Sequence, residues 1–390
     1  MKILFISEYY LPKIMGGGEI NLSLIAKALV EAGHDVSVLT SRFKGLKKEE
    51  VVDGVKVLRL LRTSENISGV IGNLKRSIVF AKSVKKELGK INKEYDIVHF
   101  IGASISGGWK QKNFFATIES YISICPKGDL LYQGKCECNY DCTFGRFLKC
   151  VTKSSEIGKM KNRLYLKYNP LFWGYLFIYF KRMNKSLSNY NLVAISEYVN
   201  KRLGKFGLKG EVIPNIIEVE KFYDAKPNNK KPHILYMGSL VKYKGPQVLL
   251  SAVVGLDCHV DLYGDGPLKP ELLEFIRKNK IDAKIHTPVP YDKVPDVYAN
   301  TDIVVFPSIW PEPFGRIAVE GMAAGKVVIG SDVGGICEIM DKEHLFGPVD
   351  TQVLRKKILR LSRIEVIDLE RYKKPKVIRK LMEYYHNYQK

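Results

Sequence analysis

Two carboxylates stand in and beside a short apolar segment in the last quarter of the 390-residue sequence. The stretch "PSIWPEPFGRIAVEGMAAG" covers residues 307–325, with Glu312 between two prolines and Glu320 eight residues later, next to Val319. Burying Glu320 without a partner would cost several kcal/mol, so its carboxylate is expected to meet hydrogen-bond donors. Sugar hydroxyl pairs are suitable donors. A partly exposed glutamate paired with a nearby lysine or arginine is the alternative.

The same stretch predicts an anion site. "DIVVFPS" is expected to be a buried strand ending at Ser308, and a helix is expected to begin near Phe314 or Gly315 and to end at Gly325. The N–H groups of Phe314, Gly315 and Arg316 would then lie at the helix start, where the backbone attracts anions.

Two further loops carry residue types that suit phosphate groups. Gly17 and Gly18 lie in "MGGGE", before a helix expected near Ile20, and glycines let backbone N–H groups approach an anion. A flexible loop is the alternative there. In "GSLVKYKGPQVLL", Lys242 and Lys244 follow a predicted strand, and an ammonium group there would neutralise a phosphate. A solvated lysine-rich loop is the alternative.

Short apolar runs alternate with helical patterns in both halves of the sequence, which predicts an α/β protein with parallel sheets. The length favours two domains, because single cores stop growing at roughly 250–300 residues. Two such domains facing each other across a cleft would bind ligands in the loops at the carboxyl ends of their strands. Strands are predicted at "KILFISEY", "DVSVLT", "VKVLRLL", "YDIVHFIGA", "NLVAIS", "HILYMGSL", "LDCHVDLYGDG", "KIHTPV", "DIVVFPS" and "KVVIGSD".

These elements predict three segments. A Rossmann-like N-terminal domain is expected over residues 1–205, with a Cys-rich, basic and aromatic insert at 125–190. A Rossmann-like C-terminal domain is expected over residues 206–360. The helical segment 361–390 has no strand of its own to pair with and would be free to cross back to the N-terminal domain.

Charge and hydropathy limit the partners and the location. The net charge is +21, and residues 1–200 carry 31 Lys+Arg against 17 Asp+Glu. Such an excess favours phosphates, a membrane surface or nucleic acid, with a solvated surface as the alternative. Nucleic acid is not expected, since the sequence has no zinc finger or RNP-like strand. No apolar run matches a signal peptide or a membrane span, so a cytoplasmic protein is expected.

A cluster of cysteines follows the spacing C-x-C-x3-C-x7-C, through Cys136, Cys138, Cys142 and Cys150. In a cytosolic chain this spacing favours a structural zinc ion over disulfides. Disulfides and free thiols remain as alternatives, because the spacing is not that of a standard zinc finger.

The most hydrophobic stretch is "LFWGYLFIYF" at residues 171–180. Residues 151–190 around it hold eight Lys+Arg and a single acidic residue, Glu156. An aromatic patch with basic flanks is typical of peripheral contact with an anionic membrane surface. A core helix with basic ends is the alternative.

The sequence resembles a known enzyme family over nearly its whole length. "PEPFGRIAVEGMAAG" resembles the E-x7-E signature of the retaining, nucleotide-sugar-dependent glycosyltransferases of family four, also described as glycosyl transferases group 1, which have the GT-B fold. "GGGE", "VIPNIIEVEKF", "GSLVKYKG", "LYGDGP", "VFPSIWPEPFG" and "SDVGGICEIM" resemble family segments and appear in the family order.

The resemblance implies roles for residues that match the motifs. Glu312 would contact the donor sugar, and Glu320 would bind the ribose hydroxyls of the nucleotide. The backbone of Phe314, Gly315 and Arg316 would meet the sugar and the diphosphate. By the same resemblance, a lysine, Lys244, would hold the diphosphate, and the N-terminal loop with Gly17 and Gly18 would lie beside the donor phosphates.

The sequence also departs from the family pattern. Ser239 stands where an arginine is usual, so one phosphate charge is missing, and Lys242 or Arg316 would have to compensate. "TIESYISICPKGDLL" resembles a segment that usually reads T-x-H-D, and Glu119 replaces its histidine. That histidine position faces acceptor and donor in the family. Val327 replaces a proline after the helix.

The implied reaction is retaining, hexosyltransferase-type transfer from a nucleoside diphosphate sugar to an acceptor hydroxyl on a glycan or a lipid-linked molecule. Lys244 and the helix start at Gly315 would stabilise the leaving diphosphate, so no catalytic metal or other cofactor is expected. Glu119 is a candidate general base. An epimerase or phosphorylase on the same fold, and a carbohydrate- or nucleotide-binding protein with an impaired catalytic site, are the alternatives.

Overall fold

The chain forms two compact units. The computed structural model describes residues 1–63, 70–107, 110–153, 169–223, 229–360 and 368–388. The first unit consists of Met1–Asp129, Tyr140–Ile216 and Lys374–Lys390, and the second of Leu130–Asn139 and Ile217–Lys373. Residues 154–168 of the basic aromatic insert, and 361–367 and 389–390 of the C-terminal segment, lie outside the described residues.

The strands of the described residues are short, as is usual for parallel sheets. They are β1 (Lys2–Ile6), β2 (Asp35–Ser41), β3 (Glu49–Val52), β4 (Val55–Leu61), β5 (Ile97–Ile101), β6 (Phe114–Ile118), β7 (Leu131–Tyr132), β8 (Cys136–Glu137), β9 (Asn191–Ala194), β10 (Glu211–Val212), β11 (His233–Met237), β12 (His259–Tyr263), β13 (Ala283–His286), β14 (Ile303–Phe306), β15 (Val327–Ser331) and β16 (Leu345–Phe346).

The α-helices lie between these strands. Within the same residues they are α1 (Gly17–Glu31), α2 (Val70–Ile91), α3 (Phe144–Thr152), α4 (Pro170–Ser186), α5 (Glu197–Gly204), α6 (Pro246–Val253), α7 (Lys269–Asn279), α8 (Val294–Ala299), α9 (Arg316–Ala323), α10 (Thr351–Arg360) and α11 (Lys374–His386).

The sheet of the first unit has the strand order β10-β9-β6-β5-β1-β2-β4-β3. Its neighbouring strands pair in parallel, except that β3 runs antiparallel to β4. Every residue of β5 and β6 is buried, because helices cover both faces of a parallel sheet. The buried strand β6, "FFATI", was not predicted from the sequence, and neither were the short strands β3, β7, β8 and β16.

The sheet of the second unit has the order β13-β12-β11-β14-β15-β16, and its neighbouring strands all pair in parallel. The two parallel sheets confirm the predicted α/β class. β11 and β14 are neighbours although β12 and β13 lie between them in the chain. The loops that follow β11 and β14 therefore leave the sheet side by side.

The unit boundary lies at Ile216/Ile217, whereas the sequence analysis placed it at 205/206. The predicted boundary falls before "KGEVIPN", which the sequence suggested to be a strand leading into a linker. Its strand β10 instead pairs with β9 and extends the first sheet. Helix α11, in the last part of the segment 361–390, belongs to the first unit.

No helix in the described part of the chain is both long enough and apolar enough to span a membrane.

A buried polar link joins α11 to the first sheet. His99 of β5 is only 2% exposed, and its Nδ1 lies 2.5 Å from the hydroxyl of Tyr385. The other ring nitrogen, Nε2, lies 2.7 Å from Thr117 Oγ1 on β6. Burial lowers the pKa of His99 to about 3, so the ring is neutral in the folded protein at neutral pH.

This link predicts a loss of stability in acid. The unfolded chain binds a proton at an ordinary histidine pKa of about 6.5, whereas the folded state does not until about pH 3. The contribution of His99 to the free energy of unfolding should thus be complete above about pH 6.5 and fall by about 1.4 kcal/mol per pH unit below it. Replacing His99→Gln is expected to remove that part of the slope, measured by urea unfolding between neutral and acid pH.

Tyr385→Phe is the matched control. It removes the hydrogen bond but keeps the imidazole buried, so it should lower the free energy of unfolding by about 1–3 kcal/mol and retain the wild-type slope. An unchanged slope in His99→Gln would contradict the assignment.

Candidate functional site

The loops after β11 and β14 bring a lysine against a carboxylate in the second unit. Lys244 Nζ lies 2.5 Å from Glu312 Oε1. The same oxygen accepts a hydrogen bond from the hydroxyl of Ser308, over 3.1 Å. The side chain of Glu312 is 9% exposed and that of Lys244 is 21% exposed. The two residues that the sequence analysis assigned to one donor thus lie in direct contact.

A close approach of two backbones sets this geometry. Gly245 has φ +76°, and a Cβ atom there would lie 1.8 Å from the carbonyl oxygen of Pro307. The carbonyl of Tyr243 accepts the N–H groups of Ile309 and Trp310, over 2.8 and 3.0 Å. A residue larger than glycine would separate the two loops, and Lys244 would move away from Glu312.

Trp310 fixes the lysine from another side. Its ring lies under the Lys244 ammonium, 4.2 Å from ring centroid to Nζ. A cation over an aromatic face is attracted by about 0.5–2 kcal/mol, depending on desolvation. The ammonium is therefore held between a π face and a carboxylate. Sequence reasoning missed Trp310, although it lies in the quoted stretch two residues before Glu312.

The loop after β15 holds the backbone of Glu312. Gly335 N donates a hydrogen bond to the Glu312 carbonyl over 2.7 Å. At Gly334, which has φ +66°, a Cβ atom would come within 2.5 Å of the Glu312 nitrogen. The glycine pair in "SDVGGICEIM" therefore positions the carboxylate.

Helix α9 begins directly after this loop. Gly315 is its N-cap residue, with φ +99°, and Arg316 is its first residue. Phe314 is 5% exposed, and its ring packs against that of Tyr372 at 5.6 Å. The first N–H groups of an α-helix have no acceptor within the helix. The helix thus begins where the sequence predicted. It follows the loop that carries Glu312, the partner of Lys244.

Glu320 is buried along the same helix, with only 2% of its surface exposed. Its Oε2 accepts a hydrogen bond from the hydroxyl of Tyr298 over 3.2 Å. Its Oε1 forms an ion pair with Arg316 Nη1 at 3.5 Å and has no shorter hydrogen bond within the described residues. Burial raises the pKa of Glu320, and the Arg316 charge opposes the rise.

The surroundings of Glu320 share features with both predictions from the sequence, a buried carboxylate that meets hydroxyl donors and a glutamate paired with a basic side chain. The carboxylate is more deeply buried than a glutamate paired at the surface would be, yet an arginine does lie beside it. Arg316 also donates a hydrogen bond to the hydroxyl of Tyr291 over 3.1 Å. The Oε1 atom of Glu320 is therefore held by a long ion pair rather than by a close hydrogen bond.

The candidate residues of the first unit also lie together. Gly17 and Gly18 are the first two residues of α1, and Glu119 follows β6. A Cβ atom on Gly18 would lie 2.4 Å from Glu119 Oε2. Asn21 donates to the other oxygen of Glu119 over 3.2 Å. The glycine loop and the residue that replaces the usual histidine are thus direct neighbours.

Further carboxylates lie around this loop. Glu19 accepts a hydrogen bond from Gly16 N over 2.9 Å. Burial raises the pKa of Glu19, backbone hydrogen bonds oppose the rise, and the charge of Glu8 adds slightly to it. Glu8 is itself only 6% exposed. Carboxylates repel phosphate and accept hydrogen bonds from hydroxyl groups. The donor-phosphate role of Gly17 and Gly18 stays a prediction, whereas the loop's surroundings favour a hydroxyl-bearing ligand.

The cysteines fall in two parts of the fold. Cys136 and Cys138 lie in the hairpin of β7 and β8, which belongs to the second unit, and Cys142 and Cys150 lie in the first unit. Across the described ranges, no set of three or more His, Cys, Asp or Glu side chains is arranged to hold a metal ion. The structural zinc therefore stays a prediction from spacing alone.

Comparisons with known proteins match part of the chain to one family and most of it to one fold. Residues 219–377, which include Lys244, Glu312 and Glu320, match the family Glycosyl transferases group 1. An uncharacterized glycosyltransferase of Methanocaldococcus jannaschii is 32% identical over 152 residues, which are 38% of this chain and 42% of that protein. The chain thus matches less than half of that relative.

Other matches extend over most of the chain. A second uncharacterized glycosyltransferase of Methanocaldococcus jannaschii is 26% identical, and the match covers 88% of this chain and 83% of that protein. The crystal structure of HepE from Anabaena in complex with UDP-glucose has a TM-score of 0.65 at 17% identity, covering 99% of this chain and 100% of that one. The structural likeness confirms the predicted GT-B fold.

The contact between Lys244 and Glu312 predicts how the site responds to an anion. In Glu312→Gln the ammonium loses its ionic partner, so inorganic diphosphate is expected to bind roughly tenfold more tightly, since hydrogen bonds to charged groups contribute about 1.5–3 kcal/mol. Titration calorimetry would measure this change. Glu343→Gln, which removes an exposed carboxylate of the same unit, is the control for net charge. Equal gains in both variants would show that the ion pair does not restrict the lysine.

Proposed function

We propose that this chain, which belongs to glycosyl transferases group 1 through residues 219–377 and has the GT-B fold, transfers a hexosyl group from a nucleoside diphosphate sugar to an acceptor hydroxyl with retention of configuration. The observation that supports it most is the arrangement in the second unit. A lysine, a carboxylate and a helix start meet at the carboxyl ends of two neighbouring strands, and a second carboxylate lies one turn inside the helix.

Lys244 is the proposed partner of the donor diphosphate. Negative charge grows on the leaving diphosphate as its bond to the anomeric carbon breaks, and a preorganised cation stabilises that charge. The N–H groups at the start of α9 add positive potential of the same kind. Because Lys244 is paired with Glu312 before a donor binds, the diphosphate exchanges one anionic partner of the lysine for another.

Glu312 is then the proposed contact of the donor sugar. Once the diphosphate holds Lys244, the carboxylate of Glu312 is released to accept hydrogen bonds from sugar hydroxyls. The clamp of Gly334 and Gly335 on its backbone keeps it in place during that exchange. The carboxylate of Glu312 would thus bind the sugar only after the donor phosphate has taken its place at Lys244.

Glu320 is the proposed partner of the nucleotide ribose. Its Oε1 makes only the 3.5 Å ion pair with Arg316 in the described residues and would accept a shorter hydrogen bond from a ribose hydroxyl. This proposal requires the Arg316 side chain to turn aside, since the carboxylate is 2% exposed. A UDP-sugar is one candidate donor, by analogy with the UDP-glucose bound by HepE.

For the acceptor we propose the carboxylate set of the first unit, with Glu119 as the group that takes the proton. Retention in one step requires the acceptor oxygen to approach the anomeric carbon from the face that the diphosphate leaves. The bond between that oxygen and the carbon forms as the bond from the carbon to the diphosphate breaks. The proton of the acceptor hydroxyl passes to a base, and Glu119 is held for this task by Asn21. The acceptor itself is proposed to be a glycan or a lipid-linked molecule.

Glu320→Gln tests the ribose assignment. The amide keeps the shape of the side chain but replaces one acceptor by a donor, so the nucleoside diphosphate is expected to bind about tenfold more weakly. Binding of inorganic diphosphate, which has no ribose, should be unchanged. A thermal-shift panel of UDP-, GDP- and ADP-sugars on the wild type would choose the nucleotide, since ligands raise apparent stability.

Glu274→Gln, an exposed change on α7, is the control for this measurement. Wild-type affinity of Glu320→Gln for the nucleoside diphosphate would refute the ribose role. Donor binding with neither hydrolysis nor transfer in the wild type would favour the alternative of a binding protein.

Glu119→Gln tests the acceptor side. The variant is expected to lower kcat about 10²–10⁴-fold while leaving the KM for the donor unchanged, because general base catalysis acts on the acceptor proton. Nuclear magnetic resonance of the product would give the anomeric configuration. Glu49→Gln, at an exposed position of the same unit, should keep wild-type kcat. A full kcat in Glu119→Gln would exclude Glu119 as the base.

A further inference from the structure

Helix α4 is apolar on two opposite faces. Its inner face packs into the first unit, with Trp173 3% exposed and Phe180 2% exposed. On its outer face, Leu171 is 83% exposed, Tyr175 46% and Ile178 54%. Single exposed apolar residues are common, but three on one helix stripe mark an interaction surface.

Two basic residues follow the exposed apolar residues on the same side of α4. Residues four, three, four and three positions apart lie on one side of a helix, which places Arg182 and Lys185 in line with the three apolar residues. Both are exposed. The stripe is therefore apolar over the first half of α4 and cationic over the second half.

Helix α3 widens the surface. Phe147 of α3 stacks on Phe177 of α4 with ring centroids 5.6 Å apart, so the two helices are packed together. Phe144, at the start of α3, is 38% exposed and lies 5.6 Å from the same Phe177 ring. Neither helix contains an acidic residue.

We propose that this surface binds the face of an anionic lipid bilayer. We call it the α3–α4 face and define it by Phe144, Leu171, Tyr175, Ile178, Arg182 and Lys185. Aromatic and aliphatic side chains enter the boundary between headgroups and acyl chains, and Lys and Arg beside them attract anionic headgroups.

Charge favours a bilayer over a second copy of this chain. Two copies meeting through the α3–α4 face would bring Arg182 and Lys185 of each close to those of the other, with no acid on α3 or α4 to balance them. The first 200 residues, which include this face, carry 31 Lys+Arg against 17 Asp+Glu. A surface of anionic lipid neutralises this excess. If the proposed transfer is correct, the same contact would bring the enzyme to a lipid-linked acceptor.

The test is flotation of the full chain with two kinds of vesicle, one of phosphatidylcholine alone and one containing about a third phosphatidylglycerol. We expect binding to the anionic vesicles only, and its loss near 1 M salt, where the Debye length is about 3 Å. The double variant L171Q/I178Q should reduce the bound fraction about tenfold, because two apolar side chains no longer enter the bilayer. R182Q/K185Q should also weaken binding and lower its salt dependence.

Control substitutions of the same type in the second unit distinguish loss of the α3–α4 face from a general loss of exposed apolar groups or positive charge. L273Q/L359Q replaces two leucines that are 48% and 63% exposed in the second unit, and R277Q/K278Q removes two exposed charges there. Both controls should bind vesicles like the wild type. Equal vesicle binding by L171Q/I178Q and L273Q/L359Q would overturn the proposal, as would a dimer in solution that L171Q/I178Q disrupts with no vesicle binding by the wild type.

Thermal-shift measurements with the panel of UDP-, GDP- and ADP-sugars distinguish a failure of vesicle binding from a failure of the proposed transferase function. None of the substituted residues lies in the donor site, so every variant should retain the wild-type shift. A variant that keeps the donor response and loses the vesicles supports the face. A wild type without any donor response contradicts the transferase proposal and leaves the vesicle result unaffected.

Discussion

The parallel pairing of β11 with β14 is the constraint on which the candidate site depends. These strands are far apart in the chain but adjacent in the sheet, so the loops at their carboxyl ends leave side by side. Lys244 comes from one loop and Glu312 from the other, and Gly245 lets the two backbones touch. If that pairing were broken, a lysine in a polar loop and a glutamate between prolines would have no reason to meet.

The charged side chains of the candidate site in the second unit have protein partners. Lys244 pairs with Glu312, and Arg316 lies between Glu320 and Tyr291. Such pairs limit the large free-energy penalty of burying a charge, which an unpaired ion would pay in full. Binding of the proposed donor would therefore exchange these protein partners for phosphate and hydroxyl groups. Its selectivity would come from ligands whose phosphates and hydroxyls replace these contacts together, because either group alone leaves one buried charge without a partner.

The two units differ in the charge at their strand ends. In the second unit, Lys244 and a helix start offer positive potential, whereas in the first unit Glu8, Glu19 and Glu119 lie near the start of α1. A diphosphate suits the former environment and a hydroxyl-bearing molecule suits the latter. Away from its strand ends, the first unit also carries the α3–α4 face, where cationic and apolar side chains share one helix stripe. The strand ends of the two units thus differ in charge, and the α3–α4 face is a separate region that is cationic and apolar.

Sequence alone determined the α/β class, most strands and the start of α9, because apolar periodicity, glycines and short motifs are local signals. The donor-binding roles that it suggested stay a prediction. It missed β6, whose five residues resemble any short buried run, and placed the unit boundary eleven residues early, since nothing local shows that β10 pairs with β9. Only the tertiary structure decided that Lys244 is paired with Glu312 and stacked on Trp310, that Glu320 is enclosed by Tyr298 and Arg316, and that Glu119 touches Gly18. The physical reason is that partners and burial depend on which strands become neighbours, and that choice is made by long-range packing.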